Sequence, residues 1–334
     1  MTLYLTVEDV RKLVGMDDAL DALDRAFQYW HDKGTQNLER RRLDPPGGGP
    51  LNLMAASYPS EGVFGYRAYA IRPAGGSNQV FLFDLKGGPP MAIVESGWAS
   101  TTRTGAATGI ATKYLARADA KRLACIGTGR QAGPQVDAVA RVRKLDSIVV
   151  FSRDKAKREE FAKRMGELTK VKTETAESAE ACVKGADIVI AATASASPVF
   201  RGDWIEKGMH INLIGANSAN RREGDDAAIL KPDLLVTDHR DQARIEAGEF
   251  IELCSTGRLA WEKIHELGDA VTGKVKRTGA DQVTLFKSLG LAYEDVAFCK
   301  LIVDKAKAKG IGTELPMTEA PMGGAARAPA GAGR

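Results

Sequence analysis

The chain has 334 residues, of which 44% are hydrophobic and 27% charged, a composition typical of globular proteins and unlike that of disordered chains. This length suits two domains that each bury a core. Lys and Arg number 47 against 43 Asp and Glu, so the formal net charge of +4 is too small to indicate a nucleic-acid-binding protein.

The N-terminal part combines helices with strands. Thr6 is the predicted N-cap of a short helix that ends near Val14, and an apolar face predicts a second helix from Asp17 to Lys33. Apolar runs within residues 42–84 and 91–94 are separated by Gly- and Pro-rich turns. We therefore expect a helix-plus-antiparallel-sheet unit.

The middle of the chain has a different pattern. A helix predicted from Thr101 to Arg117 leads to five apolar strands, most of them followed by helical segments, at residues 123–126, 147–151, 186–191, 209–214 and 233–237. Fully apolar strands that alternate with helices predict a doubly wound parallel sheet of the Rossmann type. A long helix is predicted from Ser288 to Lys309, and the Gly-, Ala-, Pro- and Arg-rich residues 317–334 are predicted to be disordered.

A glycine-rich turn follows the first of these strands. Gly127 permits a tight turn into the next helix, Gly129 lets backbone amides approach a pyrophosphate, and Ala132 keeps helix and strand close. The turn predicts dinucleotide binding by Gly127, Thr128, Gly129, Arg130, Gln131 and Ala132.

Two further strand ends refine this prediction. The second strand ends in Ser152 and Arg153, where NAD enzymes usually carry an acid; a hydroxyl and a guanidinium suit a 2′-phosphate. We therefore expect NADP(H), with NAD(H) as the alternative. Thr193 follows the strand at residues 186–191 and is predicted to contact the nicotinamide, with helix capping as the alternative.

The segment of small and polar residues at 101–109 contains a single arginine, Arg103. It is interpreted as a helix start whose amides cradle an anion while Arg103 binds a carboxylate through two nitrogens. The alternative is a closely packed helix start with a surface arginine.

Several blocks together give the chain a resemblance to the ornithine cyclodeaminase/mu-crystallin family, from about Leu3 to Gly312: residues 103–106, 111–116, 126–132, 208–215, 246–249 and 284–295. The resemblance implies a substrate-binding and dimerisation domain, residues 1–116 plus 288–316, into which the Rossmann domain, residues 117–287, is inserted. It also implies a homodimer formed through the N-terminal sheet. Members of this family reduce imines, dehydrogenate amino acids or cyclodeaminate ornithine.

The resemblance also implies how a substrate carboxylate is held. Arg103 matches one family arginine, and another falls at Arg41 or, with a gap, at Arg42. Arg67 stands where the family has a lysine; it can bind a carboxylate but cannot donate a proton near neutral pH. Within the matched blocks, Thr104 and Ser288 are further predicted cofactor contacts.

Asn217 is the larger departure from the family pattern. Cyclodeaminases have an aspartate at this position, and an amide cannot act as a general base. Reduction of a protonated imine needs only orientation and a hydride. We therefore predict an NADPH-dependent reductase of a small α-imino acid, or an amino-acid dehydrogenase, with Arg67 and Asn217 at the reacting centre. The alternatives are an ornithine cyclodeaminase and a non-catalytic NADPH-binding protein.

The remaining residue types exclude other sites. The four cysteines form no CxxC pair and the four histidines lack metal-ligand spacing, so we expect reduced thiols and no metal. No secretion signal or membrane-spanning stretch is visible. The predicted location is cytoplasmic, and the predicted partners are a small amino or imino acid and a second copy of the chain, without nucleic acid or membrane.

Overall fold

The computed structural model describes residues 1–70 and 75–317. Its helices are α1 (Val7–Leu13), α2 (Met16–Gln28), α3 (Ala99–Leu115), α4 (Ala132–Val142), α5 (Lys155–Thr169), α6 (Ala179–Val183), α7 (Asp226–Leu230), α8 (Arg240–Glu246), α9 (Gly248–Ser255), α10 (Leu267–Val271) and α11 (Ala292–Lys309). Its strands are β1 (Thr2–Leu5), β2 (Gln36–Asn37), β3 (Arg41–Leu43), β4 (Leu51–Tyr58), β5 (Val63–Ala70), β6 (Ser77–Asp84), β7 (Ala92–Glu95), β8 (Arg122–Ile126), β9 (Ser147–Phe151), β10 (Lys172–Thr175), β11 (Ile188–Ala191), β12 (His210–Leu213), β13 (Leu234–Thr237), β14 (Ile264–Glu266), β15 (Thr284–Lys287) and β16 (Thr313–Leu315).

The first sheet has the order β16-β1-β7-β6-β5-β4-β2, with β3 paired to β4. Its pairs are antiparallel except β1 with β7. Side chains alternate along β5: Arg67 lies on the side covered by α11, whereas Phe64 and Tyr66 lie on the outer side. A Cβ at Gly65 would lie 3.3 Å from Val296 of α11 and 2.5 Å from the Phe81 carbonyl oxygen, so helix and sheet pack closely there.

The second sheet is parallel throughout and has the order β10-β9-β8-β11-β12-β15-β13-β14. Its central strands are buried on both faces, which explains why they are continuously apolar in the sequence. The strand order reverses between β8 and β11, and ligands of such sheets bind in the crevice beyond the carboxyl ends at that point. The predicted α/β fold with a Rossmann-type sheet is confirmed.

Helix α3 lies between the two sheets and is almost wholly buried. It crosses α4 at two glycines: a Cβ at Gly105 would collide with Pro134, and one at Gly109 would lie 3.1 Å from Ala138. The small residues of segment 101–109 are therefore needed for close helix packing. Arg103 within this segment is buried and does not lie at the surface.

Two helix boundaries differ from the prediction by four residues or more. Helix α2 ends at Gln28 instead of Lys33, because the chain turns at Tyr29. Helix α11 begins at Ala292 instead of Ser288, because Gly290 has a φ of 76° that a helix does not accommodate. The predicted disordered tail lies outside the described residues from 318 onward. In the part of the chain that is described, no helix combines the length and apolarity that crossing a membrane requires.

Candidate active site

The glycine turn, residues 127–132, connects β8 to α4 at the reversal of strand order. Gly127 has a φ of 110°, and a Cβ there would collide with the Ala192 carbonyl oxygen, so two independent constraints require glycine. Ala132 is the first residue of α4 and is fully buried against the sheet. The turn therefore has the local geometry that its sequence predicts.

The fit of this turn to a phosphate follows from its unused donors. The backbone amides of Thr128, Gly129, Arg130 and Gln131 donate to no partner within residues 1–70 and 75–317. A Cβ at Gly129 would meet nothing within 4 Å, which leaves open space beside these amides. Four free amides at the start of an 11-residue helix suit a pyrophosphate.

The end of β9 has both a possible phosphate site and an acid. Ser152 is half-buried, and Arg153 is exposed and has no ion-pair partner among the described residues. The next residue, Asp154, caps α5 by accepting a hydrogen bond from Lys157 N at 3.1 Å. That hydrogen bond lowers the pKa of Asp154 and commits its carboxylate to the helix.

A buried carboxylate that sequence reasoning missed joins the ends of β11 and β12. Glu223 accepts hydrogen bonds from Thr193 N (2.6 Å), Thr193 Oγ1 (2.8 Å) and Gly215 N (2.5 Å). No helix begins at Thr193, so the alternative of helix capping does not apply. Asn217 lies two residues beyond Gly215, and its side-chain amide has no hydrogen-bond partner among the described residues.

Lys287, at the end of β15, extends this buried group. Its Nζ donates to the Ala216 carbonyl oxygen at 2.6 Å and lies 3.2 Å from Glu249 Oε1, which also accepts from Glu223 N at 3.0 Å. Glu223, Glu249 and Lys287 are all buried. A charged residue at each of these positions reads in the sequence as a surface residue, and only the folded sheet edge brings the three together.

Arg103 is bound within the protein by two acids of α11. Its Nε and Nη2 donate to Asp295 at 2.8 and 3.1 Å, and its Nη1 donates to Glu294 at 2.6 Å. Burial opposes its charge, but the two carboxylates together raise the pKa of Arg103 above its usual value. Each of its nitrogens already has a carboxylate partner, which does not favour the expected role of Arg103 in holding the substrate.

The arginine run at the start of β3 separates into three environments. The side chain of Arg41 is 75% exposed, and its nearest carboxylate is Glu39 at 3.7 Å. Arg40, which the sequence did not single out, is buried and donates to Glu246 at 2.5 Å and to two carbonyl oxygens of residues 289 and 290. Arg42 is 32% exposed and turns inward, so of the two candidates the structure favours Arg42 over Arg41.

Arg42 connects the first sheet to the edge of the second. Its Nη2 donates to the Asn217 carbonyl oxygen and to Glu246 Oε1, each at 2.7 Å, and its Nε donates to Asn52 at 3.1 Å. Its Nη1 has no hydrogen-bond partner in the described residues and is not among the fully buried atoms that lack one. This nitrogen is therefore free to bind a ligand beside Asn217.

Arg67 also has an uncommitted nitrogen. Its Nε donates to Asn78 at 2.9 Å and its Nη1 to Asp295 at 3.2 Å, while its guanidinium lies 4.3 Å from the centre of the Tyr69 ring. Burial lowers the pKa of Arg67, although Asp295 counteracts this. Its Nη2 contacts no acceptor within the described ranges. We use the term arginine cluster for Arg40, Arg42, Arg67 and Arg103 with Glu246, Glu294 and Asp295.

The other two predicted cofactor contacts are buried and bonded within the protein. Thr104 donates its hydroxyl to the Ser100 carbonyl oxygen at 2.8 Å. Ser288 Oγ lies 3.4 Å from Asp238, whose Oδ2 also accepts from the backbone amides of residues 289 and 290 at 2.6 and 2.7 Å. In this arrangement both residues support the backbone around the site.

A cleft of about 840 Å³ opens beside the glycine turn. It is lined by the turn, by the start of α3 near Thr101 and by the outer faces of α4 and α5. The arginine cluster does not line it, so the cleft adjoins the phosphate end of the site and not the carboxylate end. The described residues contain no group of three or more His, Cys, Asp or Glu arranged to hold a metal.

Comparison with known proteins agrees with this geometry. The model of the ornithine cyclodeaminase/mu-crystallin family matches residues 1–310. The chain belongs to this family. It is 31% identical to an alanine dehydrogenase of Archaeoglobus fulgidus over 94% of this chain and 98% of that protein.

Two solved structures extend the comparison. Δ1-pyrroline-2-carboxylate reductase of Thermococcus litoralis, in complex with NADH and L-proline, is 32% identical and superposes with a TM-score of 0.89 over 94% of this chain and 100% of that one. An archaeal alanine dehydrogenase dimer with bound NAD is 29% identical, with a TM-score of 0.88 over 95% and 99%. These relatives confirm the predicted reaction class, a nicotinamide-dependent oxidoreductase of amino or imino acids.

Proposed function

We propose that this chain is an NADPH-dependent reductase that transfers hydride to the C=N bond of a small α-imino monocarboxylic acid. One observation carries the proposal: Arg42 Nη2 donates to the Asn217 carbonyl oxygen at 2.7 Å. This contact sets a free guanidinium nitrogen beside the nicotinamide half of a Rossmann crevice. A substrate carboxylate bound there lies next to the hydride donor.

The carboxylate is held by Arg42 Nη1 and Arg67 Nη2, the uncommitted nitrogens of the arginine cluster. Arg42 shares Glu246 with Arg40, and Arg67 shares Asp295 with Arg103, so four guanidinium groups are paired with three carboxylates that include Glu294. Two guanidinium nitrogens, Arg42 Nη1 and Arg67 Nη2, are without a partner among the described residues, and together they match the two oxygens of one carboxylate. This favours a monocarboxylate over the dicarboxylate that three substrate-binding arginines would suit.

The proposed reaction needs little from the protein beyond orientation. The reduced nicotinamide supplies the hydride, and a protonated imine carries the positive charge that attracts it. Arg67 and Arg42 fix the carboxylate, and the free amide of Asn217 can hydrogen-bond the substrate nitrogen or the nicotinamide carboxamide. Asn217 does not titrate and so cannot move the protons of a cyclodeamination, which supports reduction over that alternative.

NADP(H) is the proposed cofactor. Arg153 presents a cation without an ion-pair partner among the described residues at the end of β9, where a 2′-phosphate would lie, while the Ser152 hydroxyl donates to the Asp154 carbonyl oxygen at 3.1 Å. Asp154, the nearest acid, is committed to capping α5 and is not available to a ribose hydroxyl. The two solved structures of relatives contain NADH and NAD. The preference for NADP(H) is therefore proposed for this chain from its own residues.

We further propose that residues 1–116 and 288–316 form the substrate-binding and dimerisation domain, residues 117–287 form the cofactor domain, and the chain is a cytoplasmic homodimer. The outer face of the first sheet carries stacked aromatic pairs, Phe64 with Phe83 at 5.2 Å and Tyr66 with Phe81 at 4.7 Å between ring centres. Phe64 and Tyr66 are 41% and 37% exposed. Such an exposed apolar patch supports association between copies.

The decisive experiment is a screen for NADPH oxidation with α-keto acids plus ammonia or methylamine, and with cyclic imines including Δ1-pyrroline-2-carboxylate. We expect turnover with a monocarboxylic imine, and a lower KM for NADPH than for NADH. Turnover confined to dicarboxylates would contradict the assignment of one carboxylate to Arg42 and Arg67. Conversion of ornithine to proline and ammonia would establish the cyclodeaminase instead, and tight NADPH binding without any turnover would establish a binding protein.

A further inference from the structure

Within the described residues, Glu223 makes no hydrogen bond through its carboxylate to Arg42, Arg67 or the glycine turn. Its carboxylate is fully buried, and each oxygen accepts from a different chain segment: Oε1 from Thr193 and Oε2 from Gly215. These segments follow β11 and β12, whose last paired residues are Ala191 and Leu213. One carboxylate therefore connects two neighbouring strand ends at the point where their ladder stops.

The two segments lie in direct contact. A Cβ at Gly215 would collide with the backbone of Thr193 and would lie 2.6 Å from Glu223 Oε1. Thr193 and Gly215 are half-buried and lie beyond the ladder, and Glu223 accepts from the backbone amides of both. One side chain thus links the two segments of the crevice wall at this edge.

Glu223 also fixes which hydrogen bonds Thr193 can offer to a ligand. A hydroxyl has one proton, and Thr193 Oγ1 donates it to Glu223 Oε1 at 2.8 Å. The same oxygen accepts from Ser195 N at 3.3 Å, so toward a ligand it can act only as an acceptor, through its remaining lone pair. The carboxamide of a nicotinamide ring carries an NH2 group that matches such an acceptor.

We propose that Glu223 is a positioning residue that sets the nicotinamide end of the cofactor site by holding Thr193 and Gly215 on one carboxylate. The proposal rests on the dinucleotide site of the proposed function but not on the identity of the substrate. It predicts a change in the affinity for the dinucleotide that is measurable without turnover.

Glu249 provides a matched control. It is buried beside Glu223, and its Oε1 accepts from Glu223 N and Lys287, while its Oε2 has no partner within the described residues. At a pH of about 8.5, above the pKa of about 7 of Glu223, Glu249→Gln and Glu223→Gln each replace a buried acid near the same lysine by an amide of the same size. Both oxygens of Glu223 accept from backbone N–H groups, but a glutamine has only one oxygen. Glu223→Gln therefore places the side-chain NH2 group against the backbone N–H of Thr193 or Gly215. Glu249→Gln does not, because Glu249 Oε2 has no partner within the described residues.

The experiment titrates each variant of the full chain with NADPH, follows nicotinamide fluorescence, and records thermal unfolding. We expect the Kd for NADPH to rise about tenfold in Glu223→Gln and less than twofold in Glu249→Gln. Equal Kd values in the two variants would overturn the role of Glu223. No NADPH binding by the unmodified chain would overturn the proposed function together with it.

A second pair of variants tests the proposal if Glu223→Gln does not fold. Thr193→Val removes the hydroxyl but keeps the backbone hydrogen bond to Glu223, and Thr193→Ser keeps both. The Kd for NADPH should rise about fivefold in Thr193→Val, because one ligand-facing acceptor is lost, and stay within twofold in Thr193→Ser. A Thr193→Val variant that binds NADPH as the unmodified chain does would contradict the assignment.

Discussion

At the glycine turn the proposed ligand-binding groups are backbone amides of four consecutive residues, whereas at the arginine cluster they are the side chains of Arg42 on β3 and Arg67 on β5, held by acids of α8 and α11. The turn is constrained at Gly127 by a positive φ and by the close approach of the Ala192 carbonyl oxygen, and it is open at Gly129. The cluster is defined by competition between arginines for carboxylates. One arginine, such as Arg40, is therefore paired within the protein, whereas another, such as Arg42, keeps a nitrogen free for a ligand.

The most severe test concerns the turn. Gly127→Ala introduces a Cβ that collides with the Ala192 carbonyl oxygen at a φ of 110°, and we expect a loss of about 4 kcal/mol in the free energy of unfolding. Chemical denaturation of Gly127→Ala and of the unmodified chain measures this change in the free energy of unfolding. Gly129→Ala is the control: its Cβ meets nothing within 4 Å, so stability should be kept while NADPH binding weakens. Equal destabilisation by both substitutions would show that the turn is not under local constraint.

The next largest effect concerns the sheet edge beside the turn. Burial raises the pKa of Glu223 to about 7, against the opposing effects of Lys287 and of the hydrogen bonds from Thr193 and Gly215. A carboxyl whose folded pKa is raised contributes stability that is complete below its unfolded pKa, near 4.5, and that is lost as the pH rises through about 7.

Denaturation of the unmodified chain between pH 4 and pH 8 should therefore show a loss of roughly 3 kcal/mol relative to Glu223→Gln. The difference between the two proteins isolates Glu223 from other titrating groups, including the buried Glu294. Parallel stability profiles would indicate that Glu223 keeps an ordinary pKa.

Substitution of two arginines that are adjacent in sequence, Arg42 and Arg41, tests which of them holds the substrate carboxylate. Arg42→Met removes a charged hydrogen bond to the substrate carboxylate, and we expect KM for the imino acid found in the screen to rise about 30-fold, or about 2 kcal/mol. Arg41→Met removes the same charge from an exposed position and should leave KM within twofold. If Arg41→Met had the larger effect, the assignment within this run would be reversed.

The smallest effect concerns cofactor choice. Arg153→Ala removes a surface cation with no internal partner, so stability should not change. The ratio of KM for NADPH to KM for NADH should rise about tenfold, equivalent to about 1.4 kcal/mol. An unchanged ratio would indicate that Arg153 does not contact a 2′-phosphate.

The sequence by itself determined the features that depend on neighbours along the chain. The apolar runs with their intervening helices predicted the parallel sheet, and Gly127 with Ala132 predicted the turn, because strand burial and backbone conformation are short-range properties. The combination of motifs also predicted the family. Boundaries were less well determined: α11 begins four residues later than its periodicity indicated, since Gly290 adopts a positive φ.

Only the tertiary structure decided what each charged residue does. In sequence the family pattern falls at Arg41, or at Arg42 if a gap is allowed, and it is the alternation of β3 against β4 that leaves Arg41 exposed and turns Arg42 toward Asn217. Arg103 matched a family motif, but its environment depends on Glu294 and Asp295 nearly two hundred residues away. A buried charge is defined by its partners, and partners distant in sequence are brought together only by the packing of the sheets and helices.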